Sequence, residues 1–457
     1  MADFQTDSIQ GARTGTIFAD QAGRGTLMLH MVRQMLLERN DAGAVLLMKR
    51  FLTQSLGLNV RDVSFHQDHY SLNSVRGFVQ LNSGTDTSLF FKFHQEEKEE
   101  ETVGEYYRAH LLSDAGFPVD LPVHINSTPG EQIVLYPRHD WKRLSDVCLE
   151  IEANGCRPAD MQPILDAQKT LDEVCLAIYL RTLHKVTGAQ VAAEPVLQLF
   201  TWRLFDHGDV SQPGGRVTRF YADSRFSFPG LGTSIGFEEL CRLKWIINGV
   251  PYRETLGGAF AQARALLAPD AFDGDAGITA HGDAHNANVW YVPENKGAEL
   301  IYYDPAFAGN HLPAVLAEAK SIFHNIFAHP DWLYHSERTG WLDISAEIVD
   351  GMICVNHNWA LNPLRAAFLQ SKADNLLVPL FRACREMGGL PQDWRRTLRS
   401  ALFCCPTLVM NLTAGEGSHS ASTSLLGWTI AVMLAGEPKE TGIDPISNFL
   451  DYIEARI

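Results

Sequence analysis

Residues 278–289 read Ile-Thr-Ala-His-Gly-Asp-Ala-His-Asn-Ala-Asn-Val. The run opens on small and apolar residues suited to a buried strand, then turns polar from His281 to Asn288. Asp283 is a group that can take a proton from a hydroxyl, and Asn288 offers an amide oxygen, a hard ligand of the kind Mg²⁺ prefers. Twenty-one positions on from Asp283 (283 to 304), Glu299-Leu-Ile-Tyr-Tyr-Asp304 reads as a strand ending in a second carboxylate. An anionic base and two oxygen ligands thus fall within one short span.

Working upstream, Phe90-Phe-Lys-Phe93 sets Lys92 inside an apolar strand, where an ammonium is costly unless it meets a carboxylate or a phosphate. The bland alternative is an edge-strand lysine snorkelling to solvent. Glu105 follows thirteen positions later (92 to 105) on an acidic helix, with Glu99, Glu100 and Glu101 as rivals for the role of partner. His281-x-Asp283-x₄-Asn288, the later Asp304, and a strand lysine ahead of a helix glutamate reproduce the order of parts that phosphoryl transfer from a nucleotide requires.

The rest of the chain gives these parts a frame. Residues 1–24 read as a loose leader, and Gly25–Leu56 carries two helical stretches broken near Asn40. Val63–Tyr70, Gly77–Asn82 and Ser88–His94 read as strands, Glu97–Ala115 as a helix stopped by Gly116 and Pro118, and Gln132–Tyr136 as a further strand. Beyond His139 the pattern is mainly helical: Met161–Val186, Phe237–Ile247, Tyr252–Leu267, Pro313–Ala328 and several helices after Ile344, with residues 187–235 an irregular insertion. The expected class is α+β, two-lobed, with a small β-rich N-lobe and a large mainly helical C-lobe. The expected divisions are 1–57, a leader and helical extension; 58–137, the N-lobe; and 138–457, the C-lobe.

Composition removes other classes. The 457 residues carry a formal charge of −16, and no cluster of Lys and Arg is interleaved with aromatics, which speaks against nucleic acid and allows a cationic small molecule. Eight cysteines without a C-x₂-C pair do not form a disulfide framework. Neither a signal-type N-terminus nor an apolar run long enough to span a bilayer is evident, so the expectation is a cytoplasmic protein with no membrane partner.

HGDAHNAN (281–288), YYDPAFAG (302–309), FFKFH (90–94) and EYYRAHLLSDAGFPV (105–119) together resemble the aminoglycoside phosphotransferase and choline kinase superfamily, over roughly residues 60–330. The DPA…G segment is similar to that of fructosamine kinases. The resemblance implies a protein-kinase-like fold and transfer of the γ-phosphoryl group of ATP to a small-molecule hydroxyl acceptor. It makes Asp283 the catalytic base, Asn288 and Asp304 the Mg²⁺ ligands, Lys92 the ATP phosphate contact and Glu105 its partner. Tyr136 and Arg138 fall in the hinge beside adenine, and Ser71, Asn73 and Ser74 in the phosphate loop, which here has Gly77 alone where a glycine-rich run is usual.

Other readings remain on the page. His281-x-Asp283-x-His285 has the look of a hydrolase metal cluster, needing further ligands from His311, His324, His329 or His335. A degraded kinase fold would leave a non-catalytic nucleotide-binding scaffold. A protein kinase would need Asp-Phe-Gly where Asp304-Pro-Ala stands. Asp206, Asp223 and Glu318 are acidic residues available to an acceptor, and an amino sugar, an aminoglycoside or a neutral sugar would each suit.

Overall fold

A break in helix propensity at Asn40 starts the architecture. Its side chain accepts from the Gly43 N–H at 3.1 Å and so caps α2 (Asp41–Leu56) directly behind α1 (Ala22–Leu37). Gly57, at φ 66°, closes α2 with an N–H to the Leu52 carbonyl. The computed structural model describes residues 22–66, 74–82, 88–94, 104–128, 131–205, 214–295, 297–415, 419–440 and 444–457.

The chain falls into two compact units, Met1–Tyr106 with Leu121–His139, and Tyr107–Asp120 with Asp140–Ile457. In the first, β1 (Val60–His66), β2 (Ser74–Leu81), β3 (Ser88–His94), β4 (His124–Asn126) and β5 (Ile133–Pro137) form one antiparallel sheet in the order β1-β2-β3-β5-β4. Strand β4 has no counterpart in the sequence reading. With a side-chain period of two, Leu89, Phe91 and Phe93 of β3 enter a core shared with Ala44, Met48, Phe51 and Leu52 of α2. Lys92 therefore belongs to the other face of the sheet, and it sits on a central strand, not an edge. Gly77 lies inside β2, where an added Cβ would stand 2.0 Å from the Ser64 carbonyl. Its task is to let β1 come close, so it is a sheet glycine and not a loop glycine.

The helix Gly104–Asp114 ends as expected, with Gly116 at φ 92°. Residues 95–103 lie outside the described residues.

The second unit is mainly helical around one large core, with small sheets inserted. The long helix Pro158–Thr182 agrees with expectation. Several stretches differ from it: the expected helix Pro313–Ala328 begins only at Ala319, after a strand that ends at Pro313. Of Phe237–Ile247 only Phe237–Arg242 is helical, and Lys244–Ile247 is a strand. Ile344–Val349 and Met352–His357, expected in helices, form a hairpin that adds Lys244–Ile247 in parallel to its Met352–His357 strand. The 187–235 region is more ordered than an irregular insertion, carrying helices Pro195–Leu204 and Gly215–Tyr221. All eight cysteines are free. Among the described residues no helix is long and apolar enough to cross a membrane.

Candidate active site

Two hairpin registers build the site. The fully buried strand Ala276–Ala280 pairs with Gly309–Pro313, so that Ala280 faces Gly309. The loop 281–288 then leads into the strand Val289–Glu294, whose first residue faces Tyr302 of Gly297–Tyr302. Both ends of the loop are thereby clamped to the two ends of the segment 303–308. The polar loop and the Asp304 segment have to lie against each other.

Local bonds confirm the juxtaposition. The His281 Nε2 lies 3.0 Å from the Tyr303 carbonyl, and its Nδ1 accepts from the Asp283 N–H at 3.3 Å. That pattern fixes one neutral tautomer, with the proton on Nε2. Burial lowers the His281 pKa further, against the pull of Asp283. His281 is a loop-orienting residue. The Tyr303 N–H donates to the Asn288 carbonyl at 3.0 Å, and the Tyr303 hydroxyl donates to the Ala287 carbonyl. Gly282 stands at φ 73°, and a Cβ there would lie 2.4 Å from the Phe307 carbonyl oxygen. Only glycine fits that approach.

Asp283 is buried, and burial alone would push its carboxyl up. Lys320, with Nζ 2.9 Å from Oδ1, is the largest influence opposing burial, and the group is held below the usual carboxylate range. Asp283 is therefore an anion. Lys320 itself is buried, with Nζ 4.0 Å from the centroid of the Phe307 ring. It descends from the short helix Ala319–Ile322, which continues as a π turn, Phe323–Phe327, carrying His324. The His285 and His324 rings are in contact, centroids 4.9 Å apart, and burial depresses both, so both are neutral near pH 7. Asn325 of the same turn accepts the Asn286 N–H at 2.7 Å. Arg365 then ties the Asn325 carbonyl to Glu152, at 3.1 and 2.7 Å, which braces the turn from behind.

The Asn288 amide NH₂ donates to the Asp283 carbonyl at 3.0 Å, which turns its Oδ1 to the opposite side. Asp304 adopts φ 55°, an unusual backbone for a residue other than glycine and one often found where a side chain is aimed for function. Two hard oxygen donors at the same end of one hairpin fit Mg²⁺. Among the described residues no group of three or more His, Cys, Asp or Glu side chains forms a metal cluster. The His281 ring, engaged on both nitrogens, is unavailable to one.

Of the remaining expected site residues, Lys92 is buried in β3 and Tyr136 in β5, in the first unit. The Arg138 N–H donates to the Ser88 carbonyl at 3.1 Å, and its guanidinium lies 4.7 Å from the Phe78 ring centroid. Ser71 and Asn73 lie outside the described residues. Ser74 opens β2 and Glu105 lies in the first turn of its helix, but the side chains of both are likewise outside them. Glu318 is not available to an acceptor: it is buried, 2.9 Å from Lys372, and accepts from Tyr179 at 2.6 Å. Asp223 is exposed, and Asp206 is outside the described residues. The sequence reading missed Lys320, and named His324 only as a possible further ligand of a metal cluster.

No family model and no curated protein matches the chain. Similar solved structures include an amicoumacin kinase in complex with AMP-PNP, Ca²⁺ and Ami, 12% identical with a TM-score of 0.43, covering 85% of this chain and 92% of that one. They also include the macrolide 2'-phosphotransferase MphH apoenzyme from Brachybacterium faecium, 14% identical with a TM-score of 0.33, covering 85% of this chain and 97% of that one.

Proposed function

We propose that the chain is an ATP-dependent phosphotransferase that moves the γ-phosphoryl group to a hydroxyl of a small molecule. The observation that carries the proposal is the pair of hairpin registers, which presses the Asp283 loop against the Asp304 segment with Asp283 held anionic. Asp283 accepts a hydrogen bond from the acceptor hydroxyl, orients the oxygen and takes its proton. The oxygen forms a bond to the γ-phosphorus, the bond from that phosphorus to the β–γ bridging oxygen breaks, and ADP leaves with the electron pair. Asn288 and Asp304 are the residues that would hold Mg²⁺, which when bound neutralises charge on the phosphate oxygens. Lys92 is assigned to the nucleotide phosphates, with Glu105 as its partner, on the order of the motifs in the sequence.

Thermal unfolding with and without MgATP, on wild type and Asp304→Ala, tests the reading, followed by a screen of hydroxyl compounds for ADP release. A Mg²⁺-dependent rise in melting temperature that the variant loses supports it. No rise in wild type sinks it. A rise without turnover of any acceptor favours a nucleotide-binding scaffold instead.

A further inference from the structure

The surroundings of Asp283 within the second unit have the opposite sign to the chain as a whole. The chain carries −16, yet Lys320 and Arg203 both act on this one carboxylate, Arg216 stands behind Arg203, and the Pro195–Leu204 helix packs on the loop so closely that a Cβ at Gly282 would lie 2.8 Å from Val196. Lys320 pairs with it directly at 2.9 Å. Arg203 approaches from the last turn of the Pro195–Leu204 helix, close enough that Asp283 acts on it and that it acts in turn on His324 and Cys405. Arg216 comes from the next helix, Gly215–Tyr221, and is a like charge that acts on Arg203. His285 and His324 remain neutral and burial raises the Cys404 and Cys405 thiols, so among the described residues the one further anion that acts here is Asp304, which is assigned to Mg²⁺.

The arginines are held in place by construction. Gly215, at φ 58°, has no room for a Cβ, which would stand 2.1 Å from the Trp202 carbonyl. The second helix thus starts jammed against the end of the first, and this sets Arg216 beside Arg203. The Arg216 Nη1 donates to the Leu408 and Val409 carbonyls at 2.9 and 3.2 Å, which anchors that guanidinium. Arg203 has no such anchor. Its Nε is shielded from solvent and finds no hydrogen-bond partner among the described residues. Burial, then Arg216, pushes its pKa down to about 9, with Asp283 the carboxylate that opposes them. Arg203 is half-buried, so part of its guanidinium meets solvent while the shielded Nε–H stays unpaired, a cost that a bound acceptor would remove.

We propose that the acceptor carries an oxyanion group, a carboxylate or a phosphate, which Arg203 receives with Arg216 behind it while the acceptor hydroxyl meets Asp283. This rests on the phosphotransferase reading above. Arginine offers a planar fork matched to both kinds of oxyanion, and a charge-assisted bond to a half-buried guanidinium discriminates against a neutral analogue. The same cations repel an amino sugar or aminoglycoside. The selectivity suggested by net charge is thereby reversed at the point where the acceptor reacts.

Isothermal titration of the full chain, with Mg²⁺ and a non-hydrolysable ATP analogue present, tests this with four related probes: glucose, glucosamine, gluconate and glucose 6-phosphate. Gluconate or glucose 6-phosphate should bind about tenfold or more tightly than glucose, and glucosamine least. The stronger of the two anions identifies the oxyanion as carboxylate or phosphate. Arg203→Met should erase the difference, and Arg203→Lys should restore part of it, with melting temperatures confirming that both variants fold. Tightest binding of glucosamine, no difference among the four (including no binding of any), or a preference that survives Arg203→Met overturns the proposal. So does an Arg203→Met variant that loses affinity for the nucleotide analogue alone, because the anion served would then be the γ-phosphate. Failure of MgATP to stabilise the wild type is a separate result, and it removes the phosphotransferase reading itself.

Discussion

Burial and ion pairing pull Asp283 in opposite directions, and the short contact to Lys320 decides the outcome. With Lys320→Met the largest opposing cation is gone and burial pushes the carboxyl up. On the proposed mechanism Asp283 then needs a higher pH to ionise, so the acid limb of the pH–rate profile should move to higher pH. Turnover near neutrality should fall about 100-fold, as for removal of one preorganised charge-stabilising group. An unmoved acid limb would show that Lys320 does not set the state of the base. Gly282→Ala is a second test at this scale. Its φ of 73° and the 2.4 Å approach of the Phe307 carbonyl oxygen should cost about 2 kcal/mol or more in urea unfolding. Gly232→Ala, with nothing within 4 Å, should stay within about 0.5 kcal/mol of wild type. Asp283, Asn288 and Asp304 were legible because loop chemistry leaves a fixed spacing in sequence. Lys320 and Arg203, and the place of His324 beside the base, were not, because they come from other parts of the chain and meet the loop only through tertiary packing.

At the scale of elements, the misread strands carried a signal. Asn248-Gly249 follows Lys244–Ile247, and Asp350-Gly351 joins Ile344–Val349 to Met352–His357; all four turn residues have positive φ, at 49°, 82°, 51° and 74°. Asn-Gly and Asp-Gly between short apolar runs are the pairs that two-residue hairpins demand. Read that way, the sheet was recoverable. Its parallel pairing across a hundred residues was not, since no local pattern encodes it. The helix bearing Lys320 is fixed at its start by a buried triad: Lys372 lies 2.7 Å from Asp172 and 2.9 Å from Glu318. Burial works against the lysine's charge, but the two carboxylates hold its pKa well above normal. Lys372→Met leaves both carboxylates without their cation and should cost about 3–5 kcal/mol by urea unfolding. A loss under about 1 kcal/mol would mean that water reaches the triad.

For the molecule as a whole, the same burial that keeps histidines neutral makes stability depend on pH. His419 is buried, its Nδ1 is 3.3 Å from the Thr423 hydroxyl, and burial pushes its pKa down to about 4. In the unfolded chain the group titrates near 6.5. Between those values the unfolded state holds a proton that the folded state refuses. The stabilising effect is therefore complete above about pH 6.5 and is lost as pH falls toward 4, by about 1.4 kcal/mol per pH unit. His281, His285 and His324 act with the same sign. Glu152, held down at about 2 against its own burial by His329 and Arg365, adds a further loss below the ordinary carboxylate range. Because these contributions overlap, the profile of wild type alone cannot separate them, but a difference can. Urea unfolding of wild type and His419→Gln at pH 7.5, 6, 5 and 4.5 should give a stability gap constant above 6.5 that moves against wild type on acidification. A gap independent of pH would mean that the fold admits the proton, and that His419 is more open to water than its packing implies.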